Sequence, residues 1–91
     1  MDGETRYARC TVLLGLFDSE FYVMVGSSSA YVDRENVKVE RDPSQDIEVA
    51  GEVLAYVVDE DRENVLVELP REPVVGGIRT WVPKSSLLAA A

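Results

Sequence analysis

Apolar and polar residues alternate with a period of two along most of this chain, and no 3.6-residue pattern competes with them. Residues 6–17 read as the first strand. They alternate at Tyr7, Arg9 and Thr11, then become apolar on both faces, with Gly15 suited to a bulge or bend. Asp18-Ser19-Glu20 turns the chain into a strand at 21–25, and Gly26-Ser27-Ser28-Ser29 turns it back into a short strand at 30–32. Asp33-Arg34-Glu35-Asn36 fits one turn of 3-10 helix or a β-turn, because Asp and Asn bond back to nearby backbone. Val37 and Val39 then share one face. The polar, Pro-containing segment 41–46 is the clearest break in the chain.

Beyond the break, 47–58 reads as a long strand. Ile47, Val49, Gly51, Val53, Ala55 and Val57 share one face, and the other face changes from acidic to apolar halfway along. A strand first half exposed and then buried on both sides suits one that bends at Gly51 and closes a barrel. Residues 59–64 turn into a strand at 65–69, which Pro70 ends. Residues 71–77 form the longest expected loop, 78–82 the last strand, and Pro83 starts a 3-10 turn.

The two stretches echo each other. Val12-Leu13-Leu14-Gly15-Leu16-Phe17-Asp18 resembles Val53-Leu54-Ala55-Tyr56-Val57-Val58-Asp59, and the Tyr31-Val32 pair with its polar turn resembles Trp81-Val82 with Pro83 to Leu87. The expected fold class is therefore all-β: a small barrel built from two similar three-stranded units, 6–40 and 47–88, with short 3-10 turns, no long helix and a linker at 41–46. A rival register, Asp33-Arg34-Glu35-Asn36-Val37 against Asp61-Arg62-Glu63-Asn64-Val65, ends at once on both sides and reads as one local turn solution used twice. One closed barrel and two intertwined halves both remain compatible with the pattern.

With 91 residues the chain reads as one domain, and a chain this size buries about 60–65% of its extended surface, a modest core. Cys10, the single cysteine, has no partner for an internal disulfide; a reducing compartment fits, and its strand neighbours point to an inert thiol. The acidic Met1-Asp2-Gly3-Glu4 does not resemble a signal peptide, and no apolar run reaches the ~20 residues of a membrane span, so the expectation is a soluble cytoplasmic protein with no membrane role. Residues 1–70 hold 16 acidic against 6 basic residues, a balance of −10, whereas 71–91 hold 1 against 3, a balance of +2. A net charge of −8 repels phosphate backbones, which counts against nucleic acid as a partner and suits solubility.

The stretch Gly77-Ile78-Arg79-Thr80-Trp81-Val82-Pro83-Lys84-Ser85-Ser86-Leu87 resembles the close of an SH3-like barrel: glycine, short strand, Pro-initiated 3-10 turn, aliphatic residue. The resemblance covers mainly 47–88. Peptide-binding SH3 domains carry an Ala-Leu-Tyr-Asp-Tyr-type segment, a Trp pair and a Tyr after the final Pro. Here Trp81 is single and Leu87 stands in place of that Tyr, so the resemblance implies the fold and not recognition of proline-rich peptides.

No enzyme assignment follows. Histidine is absent, no Ser, Cys or Thr has a base partner in the pattern, and no Gly-rich phosphate loop precedes a helix, so no catalytic residue and no cofactor is expected. The turn Asp59-Glu60-Asp61-Arg62-Glu63-Asn64 concentrates oxygen ligands but departs from the EF-hand pattern, with Pro70 where the twelfth-position Glu belongs; no metal site is expected. Binding remains. The leading expectation is a protein-interaction module or small subunit of a complex, contacting another protein through Arg71, Arg79, Trp81 and Lys84. For Trp81 itself, a plug closing one barrel end, as Tyr31 would close the other, is the favoured reading over an interface anchor. The alternatives are an acidic decoy of a nucleic-acid-binding protein, using Glu52, Asp59, Glu60, Asp61 and Glu63, and a nucleic-acid-binding barrel using the basic C-terminal end. Strand edges of an open barrel also allow a homodimer.

Overall fold

The computed structural model describes residues 4–70, 73–77 and 79–88. Strands β1 (Glu4–Leu14), β2 (Glu20–Val25) and β3 (Ser28–Asp33) form a meander, followed by a 3-10 turn (Arg34–Asn36) and the short β4 (Val37–Val39). After residues 40–48 the order resumes with β5 (Val49–Glu60), β6 (Asn64–Glu68), β7 (Pro73–Val75), β8 (Arg79–Pro83), a second 3-10 turn (Lys84–Ser86) and β9 (Leu87–Leu88). All pairings are antiparallel, in the order β7-β3-β2-β1-β5-β6-β8, with β4 on β5 and β9 on β1. The product is an all-β, nearly closed small barrel, and no helix longer than a 3-10 turn occurs among the described residues.

The period-two pattern explains which side chains are inside. Ala8 and Val12 of β1, Phe21, Val23 and Val25 of β2, Val53 and Ala55 of β5, and Val65 and Val67 of β6 are all buried in one cluster. Burying each larger aliphatic or aromatic side chain stabilises the fold by about 1.5–3 kcal/mol. The cluster draws on residues from both sides of the 40–48 segment, so neither stretch has a core of its own.

The two long strands form the spine. β1 and β5 pair continuously from Glu4↔Val57 to Val12↔Val49. The last strand of each stretch then crosses to the other: β4 sets Val37 opposite Val53, and β9 sets Leu87 opposite Ala8, while Ala8 and Val53 face each other across the ladder. The 3-10 turns are tied alike. The Arg34 N–H donates to the Ser19 carbonyl at 3.0 Å, and the Lys84 N–H to the Glu63 carbonyl at 2.9 Å. The pattern's two options thus resolve into one barrel whose two stretches exchange their closing strands.

The seam opposite the spine is closed by side chains. The Ser27 N–H donates to Thr80 Oγ1 at 3.0 Å, and the Ser28 hydroxyl to the Gly77 carbonyl at 2.9 Å, docking the β2–β3 turn onto β8. Gly26, at φ 55°, allows that approach, since a Cβ there would collide with Thr80 Oγ1.

Two expectations are corrected. The segment 71–77 is not wholly loop: β7 pairs with β3 through Ser29↔Val75 and Ala30↔Pro73. The outward face of β5 does not become buried, since Tyr56 and Val58 are exposed; no second layer covers it, because β6 and β8 extend the same sheet sideways.

Gly51 is where three strands meet, opposite Cys10 on β1 and Val39 on β4. A Cβ there would lie 2.7 Å from Val12 Cγ2 and 2.8 Å from the Lys38 carbonyl oxygen. The carbonyl cannot retreat without unpairing β4. Gly51→Ala should therefore lower unfolding stability by about 1–3 kcal/mol in urea titration; an unchanged midpoint would show that β4 yields freely.

Candidate interaction face

The outer surface of β6 and β8 gathers the residues that the sequence singles out. On β8, Thr80 and Val82 turn inward and are buried, so alternation sends Arg79 and Trp81 outward. Trp81 is 47% exposed, which overturns its expected role as a barrel plug. Tyr31 plugs nothing either: it lies on the outer side of β3, its ring centroid 5.0 Å from that of Tyr22, whose hydroxyl donates to Ser29 Oγ at 2.6 Å. Valines and alanines, with Phe21 and Leu69, fill the barrel interior, and Tyr31 and Trp81 lie outside it.

Across the sheet, Trp81 stands opposite Leu66, and Leu66 opposite Asp59. The β5–β6 register shifts between Val57 and Asp59, and this bulge brings the carboxylate into the row. Ion pairs bracket the aromatic: Arg79 Nε–Glu68 Oε1 at 3.1 Å and Lys84 Nζ–Glu60 Oε2 at 3.2 Å. Such exposed pairs each contribute about 0–1 kcal/mol, so a partner can displace them at little cost. Arg71, the fourth expected contact, lies outside the described residues.

Of the acidic set, Asp59, Glu60, Asp61 and Glu63 come together at the β5–β6 turn, whereas Glu52 does not. It sits mid-strand opposite both Arg9 and Lys38. Asp61 is a structural member of the turn: its Oδ1 accepts the Asn64 N–H at 2.7 Å and the Glu63 N–H at 2.9 Å. Those two donors, with a smaller contribution from Lys84, hold its carboxyl below the ordinary value of 3.8.

Apart from Arg62 within the acidic turn, the described cations not absorbed by ion pairs lie elsewhere. Arg9, Lys38 and Arg41 make no ion pair among the described residues and line an open groove of about 810 Å³ beside β4, interleaved with Glu40, Glu48 and Glu52. Lys38 Nζ instead rests over the Tyr7 ring at 4.1 Å. Cys10, part-buried at the groove floor, has its thiol pushed up to about 12, by burial first and by the Glu52 carboxylate second. Burial thus leaves little of it as thiolate at neutral pH. Sequence reasoning missed this cation cluster because its members are far apart in the chain and join only through the β1–β5–β4 register. Among the described residues, no group of three or more His, Cys, Asp or Glu side chains is placed to hold a metal ion. No helix among the described residues is long and apolar enough to cross a membrane.

No family model, curated protein or solved structure matches the chain. Function therefore has to be argued from the surface itself.

Two outcomes test this description. Iodoacetamide should alkylate Cys10 in native protein at least roughly a hundredfold more slowly than in urea at the same mildly alkaline pH, because the thiolate fraction is suppressed; comparable rates would place the thiol in water. For Asp61, the folded-state pKa lies below the unfolded one, so its contribution to stability is present above the ordinary carboxylate range and is lost as pH falls through the folded value. Asp61→Ala should accordingly lower the urea midpoint at neutral pH, with the difference from wild type shrinking in acid.

Proposed function

We propose that this protein is a non-catalytic interaction module, a compact barrel that docks to another protein or serves as a small subunit of a complex, in a cytoplasmic, reducing setting. The observation that carries this reading is Trp81, held half-exposed on the rigid outer face of β8 beside Leu66 and between two displaceable ion pairs. A large aromatic at the centre of a charged, ordered surface is what interface anchors are made of: it offers area with little conformational entropy to lose. The lack of histidine in the sequence and the raised pKa of the Cys10 thiol favour binding over chemistry. An SH3-like assignment of the barrel and an internal repeat of its two stretches belong to the same proposal, supported by the nearly closed architecture and by the matched pairing of β4 and β9.

The acidic-decoy alternative keeps one favourable observation. Asp59, Glu60, Asp61 and Glu63 share a single turn with only Arg62 and Lys84 against them. Binding through that turn would collapse steeply with salt, whereas docking on Trp81 would not. Nucleic-acid binding by the C-terminal end has less support, because Glu68 and Glu60 beside Arg79 and Lys84 balance the local charge that would attract phosphate.

Trp81→Ala decides between the first two readings. The variant should fold, with stability changed by about 1 kcal/mol or less, and should lose roughly tenfold or more in affinity for a partner recovered by wild type. A variant that binds as wild type does, beside an Asp59→Asn/Glu63→Gln variant that does not, would transfer the function to the acidic turn.

A further inference from the structure

The β1–β2 turn presents the most exposed apolar side chains of the described chain. Leu16 and Phe17 are each 70% exposed, and Leu14 just before them 45%. Ile47, 56% exposed, lies at the same end of the β1–β5 ladder, because β5 begins where β1 ends. The turn is firmly built. Glu20 is buried, its carboxylate accepting the Leu16 N–H at 3.2 Å, while its own N–H donates to the Phe17 carbonyl at 3.2 Å. Gly15 lets the chain pass close over it, since a Cβ would come within 2.5 Å of the Glu20 carbonyl oxygen. A loop pinned at its base by a buried carboxylate holds Leu16 and Phe17 out in water.

The fold does not require them to be apolar, and the molecule contains its own comparison. The β5–β6 turn does the same architectural task at the opposite end of the ladder: it joins a long strand to its hairpin partner, and its last carbonyl, on Glu63, receives the first N–H of a 3-10 turn as Ser19 does here. That turn is Asp61-Arg62-Glu63, wholly polar. Exposing a leucine and a phenylalanine where charged residues suffice lowers solubility and adds nothing to the core.

The surroundings indicate what covers them. Asp18 in the turn, and Asp46 and Glu48 flanking Ile47, are exposed and make no ion pair among the described residues. An apolar tip flanked by the exposed carboxylates of Asp18 and, beside Ile47, Asp46 is complementary to a hydrophobic pocket rimmed by Lys and Arg. Anionic lipid and nucleic acid are disfavoured by Asp18 and Asp46, and a second copy would bring these carboxylates against their own kind. We infer that the β1–β2 turn is a second docking element, independent of the Trp81 face, which inserts Leu16 and Phe17 into an apolar pocket of a basic partner protein.

The test uses the full chain as wild type, L16S/F17S, F17L and W81A, each immobilised against lysate of the source cells. Proteins whose recovery depends on the double substitution are purified and titrated against all four at low and high salt. The expected result is a partner with a basic surface whose affinity falls at least roughly tenfold in L16S/F17S, is retained in F17L, weakens with salt and is unaffected by W81A. Because both side chains are largely in water, the double variant should keep the wild-type spectrum and urea midpoint. Three results would overturn the inference: no protein dependent on residues 16 and 17; wild type, but not L16S/F17S, co-sedimenting with phosphatidylcholine vesicles; or self-association in sedimentation velocity that L16S/F17S abolishes. Failure of W81A alone to weaken any partner would count against the Trp81 face and leave this result standing.

Discussion

Antiparallel pairing of β1 with β5 is the constraint on which the other elements depend. Each of these strands is long enough to serve two neighbours on its outer edge in succession: β9 and then β2 along β1, β4 and then β6 along β5. The two halves of the core therefore meet at the middle of the ladder, around Ala8, Val53 and Ala55, where the side chains are small enough for the barrel walls to approach. Gly51 belongs to the same constraint, because the approach of β4 leaves no room for a side chain between Lys38 and Val12. Non-local pairing of this kind makes loop closure expensive before contacts offset it, so each stretch depends on the other for stability as well as for shape.

The surface is organised by the narrowness that the ladder imposes. The lumen is filled mainly by valine and alanine with Phe21 and Leu69, whereas Tyr22, Tyr31, Tyr56 and Trp81 project from the outer wall. Tyr22 and Tyr31 cover one another, and Tyr22 has a hydroxyl partner in Ser29; Trp81 stands opposite Leu66 and remains half in water. Charge is arranged with equal unevenness. Arg79 and Lys84 are paired locally with Glu68 and Glu60, while Arg9, Lys38 and Arg41 collect at the β4 groove.

The opposite ends of the ladder carry different chemistry on comparable scaffolds. One turn is acidic and self-bonded through Asp61; the other is apolar and held by Glu20. Backbone geometry sets where a turn projects, and side chains at its tip are nearly free of folding requirements. That freedom is why the composition of a tip is informative about partners in a way that the composition of the core is not.

Period-two alternation by itself determined the all-β class, the approximate strands and most of the core, because which face a strand residue occupies is a local property of an extended backbone; Pro83 marked one 3-10 turn, and Asp33 to Asn36 allowed the other or a β-turn. It misjudged the outer face of β5 and the place of Trp81, since an apolar side chain on the second face of a strand is buried only if another layer covers it. The run from Val12 to Phe17 was legible as apolar, but not as a strand ending at Leu14 and a turn displaying Leu16 and Phe17, because that boundary is set by the buried Glu20 carboxylate and the close pass at Gly15. Likewise, the crossing of β4 and β9, the gathering of Arg9, Lys38 and Arg41, and the separation of Glu52 from the acidic turn arise from registers between segments distant in the chain. Those were decided only by tertiary structure, because long-range register follows from how the shared core packs and not from any residue's immediate neighbours.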